Sequence, residues 1–262
     1  MSDADKFEEL LVIISNADIK DPVVRRRAES LIESIGALGS RNRAWSELSR
    51  AAAKRSSWEM SERAASQITD AHSRSIALMK LAFDQQIDGE LVDSKRLLGE
   101  AEYVAKQVTD PEEKSWGLYL LVGTLIDCNE LASAERIAES INDAYDQGSA
   151  LNRIADFHIK AQRSEEALKA LLKAQTTIEN GEALAWAKGE VLCRTAKGML
   201  KLGDKARGIE LLQRATLILT GGEVAEGLNG SSDRASVLRE IIQTLELAGE
   251  PTNGIRGPKP LL

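Results

Sequence analysis

One apolar signature recurs six times along the chain: a Leu followed three and four residues later by apolar or small side chains. Leu48, Ala51 and Ala52 open the series. Leu78, Leu81 and Ala82 follow, then Leu118, Leu121 and Val122, Leu151, Ile154 and Ala155, Leu192, Thr195 and Ala196, and Leu238, Ile241 and Ile242. An i, i+3, i+4 triplet is one stripe on an α-helix, and its regular return predicts a helical array rather than a single globular core. A second register runs beneath the first. Twelve residues after Ala52, Ala82, Val122, Ala155 and Ala196 stand Ala64, Ser94, Ala134, Ala167 and Gly208, and seven further on stand Ala71, Ala101, Ile141, Ala174 and Ala215. Small side chains let antiparallel helices approach to about 8 Å, the lower end of helix packing. A spacing of twelve accommodates the rest of one helix, a turn and the first turn of its partner.

The turns fall where this scheme needs them, at Asp88-Gly89, Cys128-Asn129, Arg163-Ser164 and Gly203-Asp204. Gly or Asn closes the first helix, and Ser or Asp caps the second. The pattern over Leu151, Ala155, Ala167, Leu171 and Ala174, and again over Leu192, Ala196, Gly208 and Ala215, resembles the tetratricopeptide repeat. The resemblance spans residues 41–220. It departs from the family in spacing, which runs from 30 residues (48 to 78) to 46 (192 to 238), where the family repeats every ~34. Most of the family's large aromatics are missing, and its helix-ending proline appears only as Pro111.

The expected fold is therefore an all-α, right-handed α-solenoid of antiparallel helix pairs, a TPR-like superhelix. Its parts are a capping helix pair over 1–40, five TPR-like pairs over 41–220, a flexible loop over 221–231, a capping helix over 232–248 and a disordered tail over 249–262. The helices are expected at 3–16 and 22–37, then in pairs at 41–54 with 57–69, 73–87 with 90–108, 112–127 with 130–142, 145–161 with 164–179 and 183–202 with 204–219. Phe7, Leu10, Leu11, Val12, Ile13 and Ile14 make the first helix apolar around most of its circumference. Such a helix must be covered on more than one side, by its neighbour or in a homodimer.

Composition narrows the function classes. Asp and Glu outnumber Lys and Arg by 41 to 34, for a net charge of −7. Phosphate contacts dominate nucleic-acid affinity, so an acidic chain is a poor nucleic-acid binder. The excess charge is uneven, because residues 20–63 carry ten basic and six acidic side chains, Arg25, Arg26 and Arg27 among them. No apolar run reaches the ~20 residues of a membrane span, and the acidic N-terminus lacks a signal-peptide pattern, which leaves a cytoplasmic protein as the expectation. Cys128 and Cys193 read as reduced, buried thiols. With His72 and His158 the only histidines, no metal centre, cofactor or nucleophile–His–acid constellation is assigned, and the chain is read as non-enzymatic. His158 reads as an ordinary, partly exposed histidine. Asp127, Asp156 and Glu190 are carboxylates of solvated helix faces, and the glycines of 220–231 lack the strand and the Gly-Lys-Ser/Thr of a phosphate loop.

What the resemblance implies is a concave groove lined by the first helix of each pair. Counting from the small anchors, the groove positions are Arg50, Lys80, Arg153 and Arg194 two residues before, Phe83 and Lys197 one after, Tyr119 and Asn152 three before, and Trp116 six before. Cations interleaved with rings suit an acidic or amphipathic peptide. The expected function is a protein-interaction module or scaffold. The alternatives are a helical-repeat protein binding a small ligand or nucleic acid, and a regulatory subunit of an enzyme complex.

Overall fold

A computed structural model describes residues 1–221, 230–250 and 252, and every described element is an α-helix. They are α1 (Asp3–Asn16), α2 (Pro22–Glu33), α3 (Leu38–Ala53), α4 (Trp58–Ser66), α5 (Ala71–Ile87), α6 (Leu91–Gln107), α7 (Pro111–Asp127), α8 (Leu131–Glu139), α9 (Ala144–Lys160), α10 (Ser164–Asn180), α11 (Ala185–Lys201), α12 (Lys205–Gly221) and α13 (Gly230–Leu247). The expected loop over 221–231 and tail over 249–262 fall largely on residues 222–229, 251 and 253–262, which lie outside the described residues. The chain divides into two compact units, residues 1–130 and 131–262. In the first, α3, α5 and α7 stack on one another in succession, and α4 and α6 cover α3 and α5. In the second, α9, α11 and α13 stack likewise, with α10 and α12 covering α9 and α11. Each unit is thus a stack of antiparallel helix pairs, the all-α solenoid arrangement.

The local causes repeat. Every first helix from α3 onward ends in the same turn: a left-handed residue at Ser56, Gly89, Asn129, Gln162, Gly203 or Gly249. The next amide then reaches back to the carbonyl five residues earlier, as in Glu90 N to Gln85 O (2.9 Å), Arg163 N to His158 O (2.9 Å) and Asp204 N to Met199 O (3.0 Å). This Schellman closure satisfies the orphan carbonyls and reverses the chain into the second helix. The return connector has its own motif, an apolar residue, a polar residue and Asp: Ile19-Lys20-Asp21, Ile68-Thr69-Asp70, Val108-Thr109-Asp110 and Ile141-Asn142-Asp143. The apolar member is buried each time. The Asp side chain accepts from an amide in the first turn of α2, α5, α7 or α9, and Pro22 and Pro111 occupy first-turn positions where no amide is missed.

These connectors explain where the helices depart from expectation. α4 and α8 are only nine residues long, because Ile68 and Ile141 leave the helix to anchor the connector. The residues nineteen positions after each anchor are therefore core residues of a second helix only where that helix is long, at Ala101, Ala174 and Ala215. Ala71 instead opens α5, half-buried, and Ile141 is a connector anchor. The spacing of twelve holds throughout. Ala64, Ser94, Ala134 and Ala167 are all at most 2 % exposed. A Cβ on Gly208 would lie 2.7 Å from Leu200 and 3.2 Å from the Ala196 carbonyl, so that crossing admits no side chain. Where the small residue is Ser, its hydroxyl bonds across the pair: Ser94 to the Ala82 carbonyl at 2.7 Å, and Ser49 and Ser61 to each other's carbonyls at 2.9 and 2.8 Å.

Successive second helices are joined on their outer side by ion pairs: Glu29 with Arg63 (3.1 Å), Glu62 with Arg96 (2.7 Å), Glu139 with Lys173, and Glu179 with Arg214 (2.9 Å). The first three pairs are 34 residues apart and the last 35, so the repeat period survives in these charges although the Leu positions have lost it. At the N-terminus, α1 packs Leu10, Ile13 and Ile14 against α2 and α3, while Val12 remains 59 % exposed. Cys128 and Cys193 are free and buried. No helix among the described residues is long and apolar enough to cross a membrane.

Candidate functional site

The expected groove residues lie on the first helices of both units, and each unit presents its own portion. In residues 1–130, Arg50 of α3 and Lys80 of α5 line one shallow depression together with Glu47, Ser46, Leu81 and Asp84. Arg50 is held by Glu47 on its own helix, its Nε donating at 3.1 Å. Burial pushes the Asp84 carboxyl above its ordinary value, the like charge of Asp88 adds to this, and Lys54 opposes both. Further along the stack the surface turns apolar. Phe83 of α5 is 38 % exposed and Trp116 of α7 is 45 % exposed. The Trp116 ring meets Tyr119 one turn on, with centroids 5.3 Å apart and planes tilted by 32°.

In residues 131–262 the strip is a row of neutralised charges. Arg194 pairs with Glu190 one turn earlier on α11 (2.6 Å), Lys197 with Glu240 of α13, and Lys201 with Asp156 of α9 (2.9 Å). Glu190 also accepts a hydrogen bond from the Tyr145 hydroxyl at 2.9 Å, and Tyr145 packs edge-on to Trp186 with centroids 5.2 Å apart. Arg153 on α9 is half-buried. Asn152, expected on the groove, is buried at 4 % exposure. Its Nδ2 donates to the Val191 carbonyl (3.2 Å) and its Oδ1 accepts from Thr195 Oγ1 (3.1 Å), so it ties α9 to α11 and presents nothing to solvent.

The expected cations lie on first helices, and carboxylates that the groove reading did not pair with them stand beside them. Glu47, Glu190 and Glu240 turn an expected basic strip into a mixed, internally paired one. Glu190 was legible, since Glu four residues before Arg on one helix is a standing pair; Glu240 was not, because its partner is on another helix. Tyr145 and Trp186 were also missed, although both stand six residues before the Leu of their triplet. His158, expected at the surface, is 3 % exposed. It points from α9 toward α8, where its Nε2 lies 3.3 Å from Glu135, and its Nδ1 is buried without a partner. Among the described residues no three His, Cys, Asp or Glu side chains converge on a metal position.

Pairs of antiparallel helices that meet at small residues, stacked first helix on first helix and closed by one recurrent turn, make this a helical-repeat protein with tetratricopeptide-like packing. No protein-family model matches the chain, and no curated protein sequence matches it. Among solved structures it is similar to BtubC (BKLC) from P. vanneervenii, at 16% identity over 82% of this chain and 85% of that one, with a TM-score of 0.46. It is also similar to nearly identical TPR-like repeats from Podosopora anserina, at 14% identity over 71% of this chain and 98% of that one (TM-score 0.40). A third is a signal transduction ATPase with numerous domains carrying a tetratricopeptide repeat sensor, from Pyrococcus horikoshii, at 15% identity over 86% of this chain and 39% of that one (TM-score 0.40). Likenesses of this depth carry no inference about partners, which rests on the side chains above.

Proposed function

We propose that the chain is a non-catalytic interaction scaffold whose first-helix faces dock a protein segment, amphipathic and acidic in character. Arg50, Lys80, Phe83, Trp116 and Tyr119 are the contact residues of the first unit, and Arg153, Arg194 and Lys197 those of the second, with Tyr145 and Trp186 added. The observation that carries this reading is the exposure of Phe83 and Trp116 on consecutive stacked helices, in a chain that holds only three Phe and four Trp. Large rings left open on a rigid face are the anchors of protein interfaces. The paired cations of each unit supply direction: a partner carboxylate gains a hydrogen bond from an arginine already held in place by its neighbour. A rigid presentation of this kind needs no covalent chemistry.

The test is crosslinking mass spectrometry of the intact chain in its native lysate, repeated with the Phe83→Ala/Trp116→Ala and Arg153→Glu/Arg194→Glu double variants. Crosslinks to a partner should fall on α3, α5, α7, α9 and α11, and the ring variant should reduce partner recovery roughly tenfold or more, the effect of losing two interface anchors. Equal recovery from folded variants, or crosslinks confined to the second helices, would overturn the assignment.

A further inference from the structure

We propose that the tip of the α5–α6 hairpin is a second docking surface, for a partner face that combines apolar surface with Lys or Arg side chains. Three large aliphatic residues crowd this tip. Ile87 ends α5 and is 66 % exposed, and Leu91 and Val92 open α6 at 58 % and 85 %. The turn itself does not require them, because backbone groups close it. Gly89 takes the left-handed conformation, with φ at +86°, and the amides of Gly89 and Glu90 donate to the carbonyls of Gln86 (3.2 Å) and Gln85 (2.9 Å). The repeat supplies its own comparison. Counted from the left-handed residue of each turn, the position of Ile87 is charged in the other hairpins from α3 to α12, as Lys54, Asp127, Lys160 and Lys201. The position of Val92 holds Glu59, Ala132, Glu165 and Ala206, and that of Leu91 holds Trp58, Leu131, Ser164 and Lys205. Trp58 and Leu131 are both half-buried. Among these tips, that of α5–α6 alone turns three large aliphatics to water, and apolar surface held open on a rigid turn marks an interaction site.

Charge names the partner's chemistry. From Leu81 to Ser94 the chain holds Asp84, Asp88, Glu90 and Asp93 and no Lys or Arg. Asp93 pairs with Arg96 at 3.4 Å. Asp88 accepts from the Ser56 hydroxyl at 3.0 Å, a neutral donor that leaves its charge in place. Glu90 is the N-cap of α6, yet its side chain makes no capping bond and stays exposed. Burial raises the Asp84 carboxyl and the like charge of Asp88 adds to this, with Lys54 opposing, so these two carboxylates stand close enough to repel. A cation brought by a partner relieves that repulsion, whereas an acidic segment or an anionic membrane surface adds to it. The tip therefore suits the opposite charge from the first-helix faces. The aliphatics supply apolar area, and the carboxylates around them select the partner and speed encounter.

The experiment is fluorescence anisotropy, in which the full chain is titrated into three labelled amphipathic peptides, each about five helical turns long. One peptide carries Leu on one face and Lys elsewhere, the second replaces Leu by Ser, and the third replaces Lys by Glu. The Leu/Lys peptide should bind, and the other two should bind at least about tenfold more weakly. Ile87→Ser/Val92→Ser and Asp88→Asn/Glu90→Gln should each weaken the Leu/Lys peptide at least about tenfold, with melting temperatures unchanged because all four side chains are exposed. Glu165→Gln/Glu166→Gln removes the same charge from another hairpin and should leave binding unchanged, which separates docking at the tip from general attraction to an acidic chain. The proposal is overturned if the Leu/Lys peptide shows no binding up to about 1 mM, if folded tip variants bind it as tightly as the original chain, or if the Glu165→Gln/Glu166→Gln protein loses as much. It is equally overturned if sedimentation finds the unliganded chain as a dimer that Ile87→Ser/Val92→Ser dissolves, because a second copy then covers the tip. Such failure would leave the first-helix reading untouched, since none of these variants alters Phe83, Trp116 or the cations beside them.

Discussion

Gln162 closes α9 with a backbone φ of +58°, in the turn that Gly203 makes after α11 at +86°. A side chain at a left-handed position costs roughly 1 kcal/mol relative to glycine. Gln162→Gly should therefore stabilise the protein by up to about 1 kcal/mol and Gly203→Ala destabilise it by a similar amount, both read from urea denaturation midpoints. Gly181 is needed for a different reason. A Cβ there would lie 2.3 Å from the Ala144 Cβ and 2.9 Å from the Thr177 carbonyl, neither of which a rotamer change can move. Gly181→Ala should cost about 1–3 kcal/mol by overpacking.

Asp146, near the start of α9 and 7 % exposed, is a residue whose cost depends on pH. Burial pushes its carboxyl up to about 6 from an ordinary 3.8, and the charge of Asp143 adds to the shift. Its folded-state affinity for a proton exceeds the unfolded one, so its contribution is fully present below about pH 4 and is lost as pH rises toward about 6. Asp146→Asn should then be the more stable protein at pH 7.5, by roughly 1–3 kcal/mol, with the advantage gone at pH 4. Denaturation at both values checks the sign, and an advantage larger at pH 4 would refute it.

At the scale of elements, two kinds of contact hold the stacks: hydroxyls and small residues inside, ion pairs outside. Ser94 is 1 % exposed and bonds across its pair to Ala82, while Arg96 on the same helix reaches Glu62 at the surface. A buried hydrogen bond contributes about 1 kcal/mol and an exposed pair between nothing and about 1. Ser94→Ala should therefore destabilise more than Arg96→Ala, and only the second effect should shrink in high salt. The helices that carry these contacts were legible as i, i+3, i+4 stripes, and the spacing of twelve was legible as a crossing. The short α4 and α8 were not, because Ile68 and Ile141 look like one more helical apolar position until the Asp cap two residues later ends the run. The charge ladder was invisible from any single helix, since each pair joins two helices with a third between them in sequence.

For the molecule as a whole, the two units carry separate stacks, each with its own buried alanines and leucines. The first-helix faces place open rings in the first unit and mostly neutralised cations in the second. If rings lead and charges guide, raising ionic strength from low to physiological levels should weaken partner capture by less than about tenfold. A steeper loss would mean that the cations carry the affinity. The sequence by itself determined the helical array, its hairpin crossings and its turns, because these follow from local periodicity and from residues with restricted backbone choices. Tertiary structure alone decided which charges remain unspent. Whether Arg194 meets Glu190, Lys197 meets Glu240 or Asn152 sinks between helices depends on distances across the stack, which linear spacing does not encode.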